Sequence, residues 1–279
     1  MKFFTNIILE DILQPYITGA KSDEISDLQE RVMQDMGKEL SIPQDVLNSF
    51  KIKPELNPKI WMGEKLLPEV RKTLLQIARD FVKELELPRG VKMRDVLFLG
   101  SLANYNWSSY SDIDLHVVID FSDFEDKQSF IKKHMDAEKN LWNDNHEILI
   151  ADFPIELYIQ DLREKVDAAA VYSVLKDSWI LMPEKKELKL DKTLIRQHVE
   201  KFFKKLRDIK SLFEKKNYQQ VINRTAKLKD EIKKMRKSGL EEGGELSIEN
   251  LTFKTLRRTE FIEILDSYKI RAYDMMLSL

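Results

Sequence analysis

The sequence has no cysteine and is poor in glycine and proline. Its 279 residues include eight glycines, eight prolines and no cysteine. The lack of cysteine excludes disulfides, thiolate nucleophiles, cysteine-ligated zinc and iron–sulfur clusters. The length and the 43% hydrophobic content are sufficient for a substantial core, so we expect one large domain or two small ones rather than a disordered chain. A reducing cytoplasm is the easiest fit to these features.

Long hydrophobic runs are absent as well. The apolar residues at the start of the sequence are interrupted by Thr5 and Asn6 and followed by Glu10, which leaves them too short for a signal peptide. No run reaches the length of a membrane-spanning helix. We therefore expect a cytoplasmic protein with no membrane partner.

The net charge of -2 conceals a strong asymmetry along the chain. Taken alone, it argues against a nucleic-acid partner. However, residues 191–238 contain 16 Lys+Arg and 6 Asp+Glu, whereas residues 1–190 contain 25 and 34. Such basic runs are usually solvated helix faces. An excess of this size also suits a phosphate backbone, so RNA or tRNA binding through 191–238 is a hypothesis.

Hydrophobic periodicity predicts an α/β block flanked by helices. Helical patterns are found at 23–40, 68–87, 130–142 and 166–180, and throughout the segment from 191 onward except for a glycine-containing loop at 238–247. Strand patterns are found at 95–99, 112–120, 147–151 and 155–159, with a turn at 152–154. We expect an α+β fold with a mixed β-sheet. Its predicted domains are 1–190, including an N-terminal helical extension, and an all-helical 191–279.

The most informative segment combines a Gly-Ser pair with two nearby carboxylates. Asp112 and Asp114 lie two apart on a predicted strand, so their side chains share a face and repel one another. A magnesium ion bound between them would remove this repulsion. Gly100 and Ser101 follow the preceding strand, where glycine permits close approach of a ligand. A helix beginning there would direct its N–H groups toward phosphate.

A third carboxylate is needed if two metal ions are held. Glu156 is the best candidate, because the apolar residues on either side of it share the opposite face of their strand. Asp152 is the alternative, although a turn holds a ligand less rigidly. Other nucleotide and hydrolase signatures are absent, including the P-loop, the Gly-x-Gly-x-x-Gly motif and the Gly-x-Ser-x-Gly elbow.

Gly100-Ser101 followed by Ser111-Asp112-Ile113-Asp114-Leu115 resembles the signature of the DNA polymerase β-like nucleotidyltransferase superfamily. The resemblance covers residues 95–160. The segments 56–61, 100–105 and 171–175 are also similar to predicted nucleotidyltransferases of tailed phages and prophages, which would extend the resemblance over 55–185 and suggest a phage-encoded protein. Many small members have a second glycine where this chain has Tyr105. Either the loop differs in shape or Tyr105 stacks on a base.

The resemblance implies a nucleotidyltransferase-like sheet and a magnesium-dependent enzyme. This enzyme would transfer a nucleoside monophosphate from a nucleoside triphosphate to an acceptor hydroxyl. Asp112, Asp114 and Glu156 would be catalytic and would hold two Mg²⁺ ions, with Mn²⁺ as a substitute. Nucleotide and phosphate contacts would come from Gly100, Ser101, Asn104, Ser111, Tyr172, Ser173 and Lys176. Helix packing explains Tyr172 equally well. His116 shares the strand face of Asp112 and Asp114 and is either a substrate contact, a side chain that supports the metal ligands, or a solvated histidine.

Three functions remain open on the sequence. In the first, the chain is a nucleotidyltransferase whose acceptor is an RNA or tRNA 3′ end. In the second, the same chemistry modifies a protein or a small molecule, including another nucleotide. In the third, the chain is a non-catalytic nucleotide- or nucleic-acid-binding module. The donor base and the oligomeric state are not indicated.

Overall fold

The computed structural model describes residues 40–124, 128–166, 168–185, 187 and 190–278. These residues form two compact units, one within 49–188 and the other made of 40–48 and 190–278. The fold is α+β with a mixed sheet and an all-helical C-terminal part, as expected. Residues 40–48 group with the C-terminal helices rather than with the sheet. The helix predicted at 23–40 lies outside the described residues apart from Leu40.

A six-stranded mixed sheet forms the centre of the first unit. Its strands are β3 (Met93–Leu99), β4 (Ile113–Ile119), β5 (Leu149–Ile150), β6 (Phe153–Asp161), β7 (Val171–Ser173) and β8 (Ser178–Leu181), which follow a two-stranded hairpin of β1 (Trp61–Met62) and β2 (Lys65–Leu66). The strand order is β5-β6-β4-β3-β7-β8. Only β4 and β6 are parallel among these pairs. The connection between them contains helix α3 (Gln128–Asn145) followed by β5, and parallel neighbours require such a crossover.

One face of the sheet is buried by alternating apolar side chains. Val96 and Phe98 of β3 and Leu115 and Val117 of β4 enter the main core, which also includes the apolar side of helix α2 (Pro68–Glu84). Pro68 begins this helix because proline needs no N–H partner in a first turn. The same alternation places the intervening residues, including Asp114, on the opposite face.

The side chain of Asn143 covers the outer edge of β6. Its Nδ2 donates to the carbonyl oxygen of Leu157 at 2.9 Å, and its Oδ1 accepts from the Leu157 N–H at 3.0 Å. One amide thus replaces the pair of hydrogen bonds that a neighbouring strand would make.

Closer to the start of β6, residues Ala151 and Asp152 form the two-residue hairpin turn after β5, with φ values of 52° and 71°. Two positive φ values are typical of the type I′ turn.

The helix predicted at 166–180 is wrong. The structure places the strands β7 and β8 there, joined by a turn in which Asp177 has a φ of 56°. An apolar run as short as 170–175 suits a buried strand as well as a helix, and Tyr172 completes this strand by pairing with Phe98. The turn predicted at 152–154 is also shifted, because Phe153 and Pro154 already belong to β6.

The second unit consists of helices. They are α1 (Gln44–Asn48), α4 (Lys192–Glu214), α5 (Tyr218–Gly243), α6 (Ile248–Arg258) and α7 (Phe261–Leu277). Asp191 caps α4 by accepting a hydrogen bond from the Leu194 N–H at 2.9 Å. Phe203 of α4 stacks on Phe261 of α7 at 5.9 Å between ring centroids. No helix in the described part of the chain is both long enough and apolar enough to cross a bilayer.

The loop predicted at 238–247 is largely helical. Helix α5 continues through Gly239 to Gly243, and a 3₁₀ turn spans Gly244–Leu246. A Cβ at position 239 would lie 2.5 Å from the Cβ of Glu249. Glycine therefore serves here as a point of close approach between α5 and α6 rather than as a helix terminator.

Candidate metal centre

Three carboxylates converge where β4 and β6 begin. Asp114 of β4 is the direct neighbour of Glu156 on the parallel strand β6, and Asp112 immediately precedes β4. One carboxylate oxygen from each of the three residues lies within 4.8 Å of the other two. Asp112 and Asp114 are half-buried and Glu156 is exposed, so the group is accessible from solvent. Oxygen donors in this number suit a hard divalent cation such as Mg²⁺.

Gly100 makes room for one of these carboxylates. Its neighbour Leu99 pairs with Asp114 across β3 and β4. A Cβ at position 100 would lie 1.6 Å from Oδ2 of Asp114, far too close for two atoms that are not bonded to each other. Gly100 also has φ 77° and ψ -165°, a backbone conformation that is almost confined to glycine. Both the space and the backbone therefore require glycine beside Asp114.

Two serines close the loop that separates Gly100 from Asp112. Ser101 and Ser111 place their hydroxyl oxygens 2.7 Å apart, and the Ser111 hydroxyl also accepts from the Ser108 N–H at 3.0 Å. Only a three-residue 3₁₀ turn, Ser101–Ala103, begins after Gly100. A turn of this length does not provide the helix dipole that a longer helix at this point would direct toward phosphate.

Asn104 shapes the same loop from inside. Its side chain is buried, and its Oδ1 accepts from the Tyr105 N–H at 2.7 Å. The Asn104 N–H donates to the Ser101 carbonyl oxygen at 3.1 Å. Asn104 is one of the predicted nucleotide contacts. In the structure it makes hydrogen bonds within the loop that leads to Asp112.

The alternative third carboxylate, Asp152, does not join the cluster. It lies in the turn between β5 and β6, where its Oδ2 accepts from the Lys59 ammonium at 2.7 Å. Glu156 instead lies beside Asp114 because the parallel register of β4 and β6 aligns these two positions. Of the two candidates that the sequence left open, Glu156 is the one that lies in the cluster with Asp112 and Asp114.

Three further predicted contacts lie away from the carboxylates. Tyr172 and Ser173 belong to β7, which β3 separates from β4. Tyr172 is fully buried on the core face, where it packs edge-on against Trp61 and donates to the Asp177 carboxylate at 2.7 Å. These contacts give Tyr172 a packing role.

Ser173 and Lys176 both interact with a buried carboxylate. Ser173 is fully buried and donates to Oδ1 of Asp95 at 2.6 Å. The Lys176 ammonium lies 3.2 Å from Oδ2 of the same Asp95, although most of the lysine side chain is exposed. Asp95 therefore holds the start of β3 to the turn after β7. The structure brings neither Ser173 nor Lys176 to the three carboxylates.

An aromatic pair extends the open face of the sheet beyond Glu156. His116 and Tyr158 are direct neighbours on β4 and β6, with ring centroids 4.6 Å apart. Burial lowers the pKa of His116, although its hydrogen bond to the Gln160 side chain opposes this effect. The Lys139 ammonium of α3 lies 5.1 Å from the Tyr158 ring centroid. The strand alternation that identified Glu156 also places Tyr158 on this face, a position that sequence reasoning missed.

The basic segment 191–238 forms most of α4 and α5. Five of its cations have carboxylate partners, as in the pair between Lys205 and Glu231. Eight other cations have no carboxylate within ion-pair distance among the described residues: Lys201, Lys204, Lys210, Lys215, Lys216, Arg224, Lys227 and Lys233. All of these except Lys210 are exposed. The helical unit therefore retains a large uncompensated positive charge.

Comparison with protein-family models, with curated proteins and with solved structures finds no match to this chain.

Proposed function

We propose that this chain is a magnesium-dependent nucleotidyltransferase that moves a nucleoside monophosphate from a nucleoside triphosphate to an acceptor hydroxyl. The observation that carries the proposal is the convergence of Asp112, Asp114 and Glu156 within 4.8 Å, beside a glycine whose missing Cβ leaves room for the Asp114 carboxylate. Three carboxylates so close together repel one another, and bound cations would remove this repulsion. The superfamily resemblance of the Gly-Ser and Asp-x-Asp segments points to the same chemistry.

The three carboxylates fit two Mg²⁺ ions, with Mn²⁺ as a substitute. Asp112 and Asp114 would hold both ions, and Glu156 would complete the coordination of one of them. Bound in this way, the ions supply charge stabilisation to the attacking and leaving oxygens of an in-line displacement. Gly100 leaves the space that the Asp114 carboxylate occupies. Ser101 and Ser111 present hydroxyls that suit phosphate oxygens.

The acceptor we propose is an RNA 3′ end, with tRNA included in this class. The support is the uncompensated positive charge of α4 and α5, where eight cations lack carboxylate partners among the described residues. A positively charged surface of this kind suits the phosphate backbone of RNA. The test described next also detects transfer to a protein or to a small molecule.

The test is label transfer from nucleoside triphosphates carried out with Mg²⁺. The full chain is incubated with each of the four α-³²P-labelled triphosphates and with a pool of RNA, and label is followed into RNA, protein and small products. We expect magnesium-dependent labelling of RNA that EDTA abolishes. Label in protein or in a nucleotide product would change the acceptor. Binding of nucleotide with no transfer from any triphosphate would refute the proposed reaction.

Variants of the carboxylates test the site. Asp112→Asn and Asp114→Asn should each reduce transfer by at least about a hundredfold, since each removes a charged metal ligand. The matched control is Asp152→Asn, because Asp152 is an exposed carboxylate on the same part of the fold that pairs with Lys59 instead. This control should transfer at the wild-type rate. Full activity in either of the first two variants would show that the site is elsewhere.

A further inference from the structure

The loop between Gly100 and Asp112 carries aromatic rings covered by lysines. Tyr105 and Trp107 are partly exposed and pack with their inner sides against the main core. The Lys185 ammonium lies 4.9 Å from the Tyr105 ring centroid. The Lys53 ammonium lies 4.5 Å from the Trp107 ring centroid. Two ring–cation pairs thus occur within three residues of loop, in the segment that leads directly to the carboxylates.

The rings are held in place by hydrogen bonds. Trp107 donates from Nε1 to the Glu55 carbonyl oxygen at 3.0 Å. The Tyr105 backbone is bound on both sides, since its carbonyl oxygen accepts from the Lys53 N–H at 2.7 Å and its N–H donates to the Asn104 side chain. A ligand that stacks on these rings would therefore lose little affinity to ordering of the loop.

We propose that this loop binds single-stranded nucleic acid, with bases stacked on Tyr105 and Trp107 and phosphates bound by Lys53 and Lys185. Aromatic faces combined with nearby cations are the usual means of binding a single strand without reading its sequence. A lysine over an exposed ring is held more weakly than a base stacked on the same ring. An arriving base can thus displace the ammonium, which then lies close to the phosphate of that nucleotide.

The number of groups favours a strand over the donor triphosphate. Two rings and two lysines provide for more than one nucleotide, whereas a single triphosphate carries one base. The loop ends at Ser111, the residue before Asp112. The inference deepens the proposed function, because a strand bound along this loop would supply the acceptor, but strand binding itself needs neither metal nor triphosphate.

Strand binding is measured on the full chain in EDTA with no triphosphate present. A fluorescein-labelled 12-nucleotide RNA is compared by anisotropy with a blunt duplex of the same length. Tyr105→Leu and Trp107→Leu preserve apolar packing but remove the stacking surface. Each should weaken single-strand binding by about tenfold. Duplex binding should be unchanged, because paired bases cannot stack on the loop. Phenylalanine at either position should restore binding.

The matched control is Phe130→Leu, which removes an aromatic ring that is 63% exposed on helix α3. It should leave single-strand affinity at the wild-type value. Lys53→Met and Lys185→Met should each reduce the slope of log affinity against log salt by about 0.7. These two surface variants keep the test decisive if a leucine variant fails to fold, which circular dichroism would reveal.

Trp107 fluorescence reports stacking directly. The RNA should quench tryptophan emission in the wild type, and this quenching should be lost in Trp107→Phe. Unchanged affinity in the leucine variants and unchanged salt slopes in the lysine variants would overturn the proposal and leave strand binding to the basic helices. Equal quenching by ATP alone would make the loop a donor site and would also overturn it. Failed label transfer with intact strand binding would refute only the proposed function.

Discussion

Replacement of Gly100 by alanine is the sharpest test of how the backbone positions Asp114. The new Cβ would lie 1.6 Å from Oδ2 and 2.7 Å from Cγ of Asp114. Because Gly100 lies on a strand end paired with β4, the backbone cannot easily move away, and the carboxylate must rotate instead. We therefore expect the loss of one metal ligand as well as a loss of stability.

The expected loss of stability in Gly100→Ala has two parts. The conformation at φ 77° and ψ -165° costs a residue with a side chain about 1–3 kcal/mol. Forcing an atom into occupied space typically costs a further 1–3 kcal/mol or so. Gly100→Ala should therefore lower the free energy of unfolding by about 2–6 kcal/mol. An Asp114→Ala background removes Oδ2 and Cγ and keeps the Cβ of residue 114 at 3.3 Å, so the cost should fall by about 1–2 kcal/mol.

The assay combines urea unfolding with Mn²⁺ titration by calorimetry. Gly63→Ala is the matched control, since Gly63 has a φ of 63° and a Cβ added there would meet no atom within 4 Å. It should cost only about 1 kcal/mol and leave Mn²⁺ affinity unchanged. Gly100→Ala should weaken Mn²⁺ binding by about tenfold or more. Equal stability losses and equal Mn²⁺ affinities in the two variants would refute the placement of Asp114 beside Gly100.

Three other substitutions test the fold. Asn143→Leu removes both hydrogen bonds to Leu157 and should lower the free energy of unfolding by about 2 kcal/mol in urea, whereas an unchanged midpoint would contradict the edge contact. Gly239→Ala should lower the melting temperature despite alanine's higher helix propensity, because its Cβ would lie 2.5 Å from that of Glu249. A higher melting temperature for Gly239→Ala would mean that α5 and α6 can move apart to make room for the new Cβ. Burial raises the pKa of Asp274, so its ionised form weakens folding as pH rises through that pKa. Asp274 also lies in the last turn of α7, where a negative charge opposes the helix dipole. From the dipole alone, Asp274→Asn should raise the free energy of unfolding by about 0.5 kcal/mol at pH 7 and leave it unchanged below the carboxyl's ordinary range, as pH-dependent urea unfolding would show.

The carboxylates are predictable from the sequence to different degrees. Asp112 and Asp114 follow from local alternation in one strand, which places both side chains on one face. The proximity of Glu156 depends on the pairing of β4 with β6, two strands separated by a whole helix in the chain. Local patterns cannot specify this register, and for this reason only the structure, which places Asp152 against Lys59, separates the two candidates.

The errors in the fold have a common physical origin. Local composition predicts a helix at 166–180 and a loop at 238–247, whereas the structures of both segments depend on packing against other elements. Tyr172 is in a strand because Phe98 offers a backbone to pair with. Gly239 lies within a helix, where its missing Cβ leaves room for the close approach of α6. Long, strongly periodic helices such as α2 and α4 need no such information, and their existence follows from the sequence.

The amide of Asn143 has a consequence for how copies of the chain meet. An open strand edge invites a strand from another molecule, and such pairing leads to aggregation. Along β6, the strand β5 pairs with the first two positions, and the amide occupies the N–H and carbonyl of Leu157 beyond them. The Asn143 side chain can hydrogen-bond with one residue of β6, but it cannot continue the row of backbone hydrogen bonds as a strand would. At these positions of β6 a strand from another copy of the chain would find the backbone groups already hydrogen-bonded.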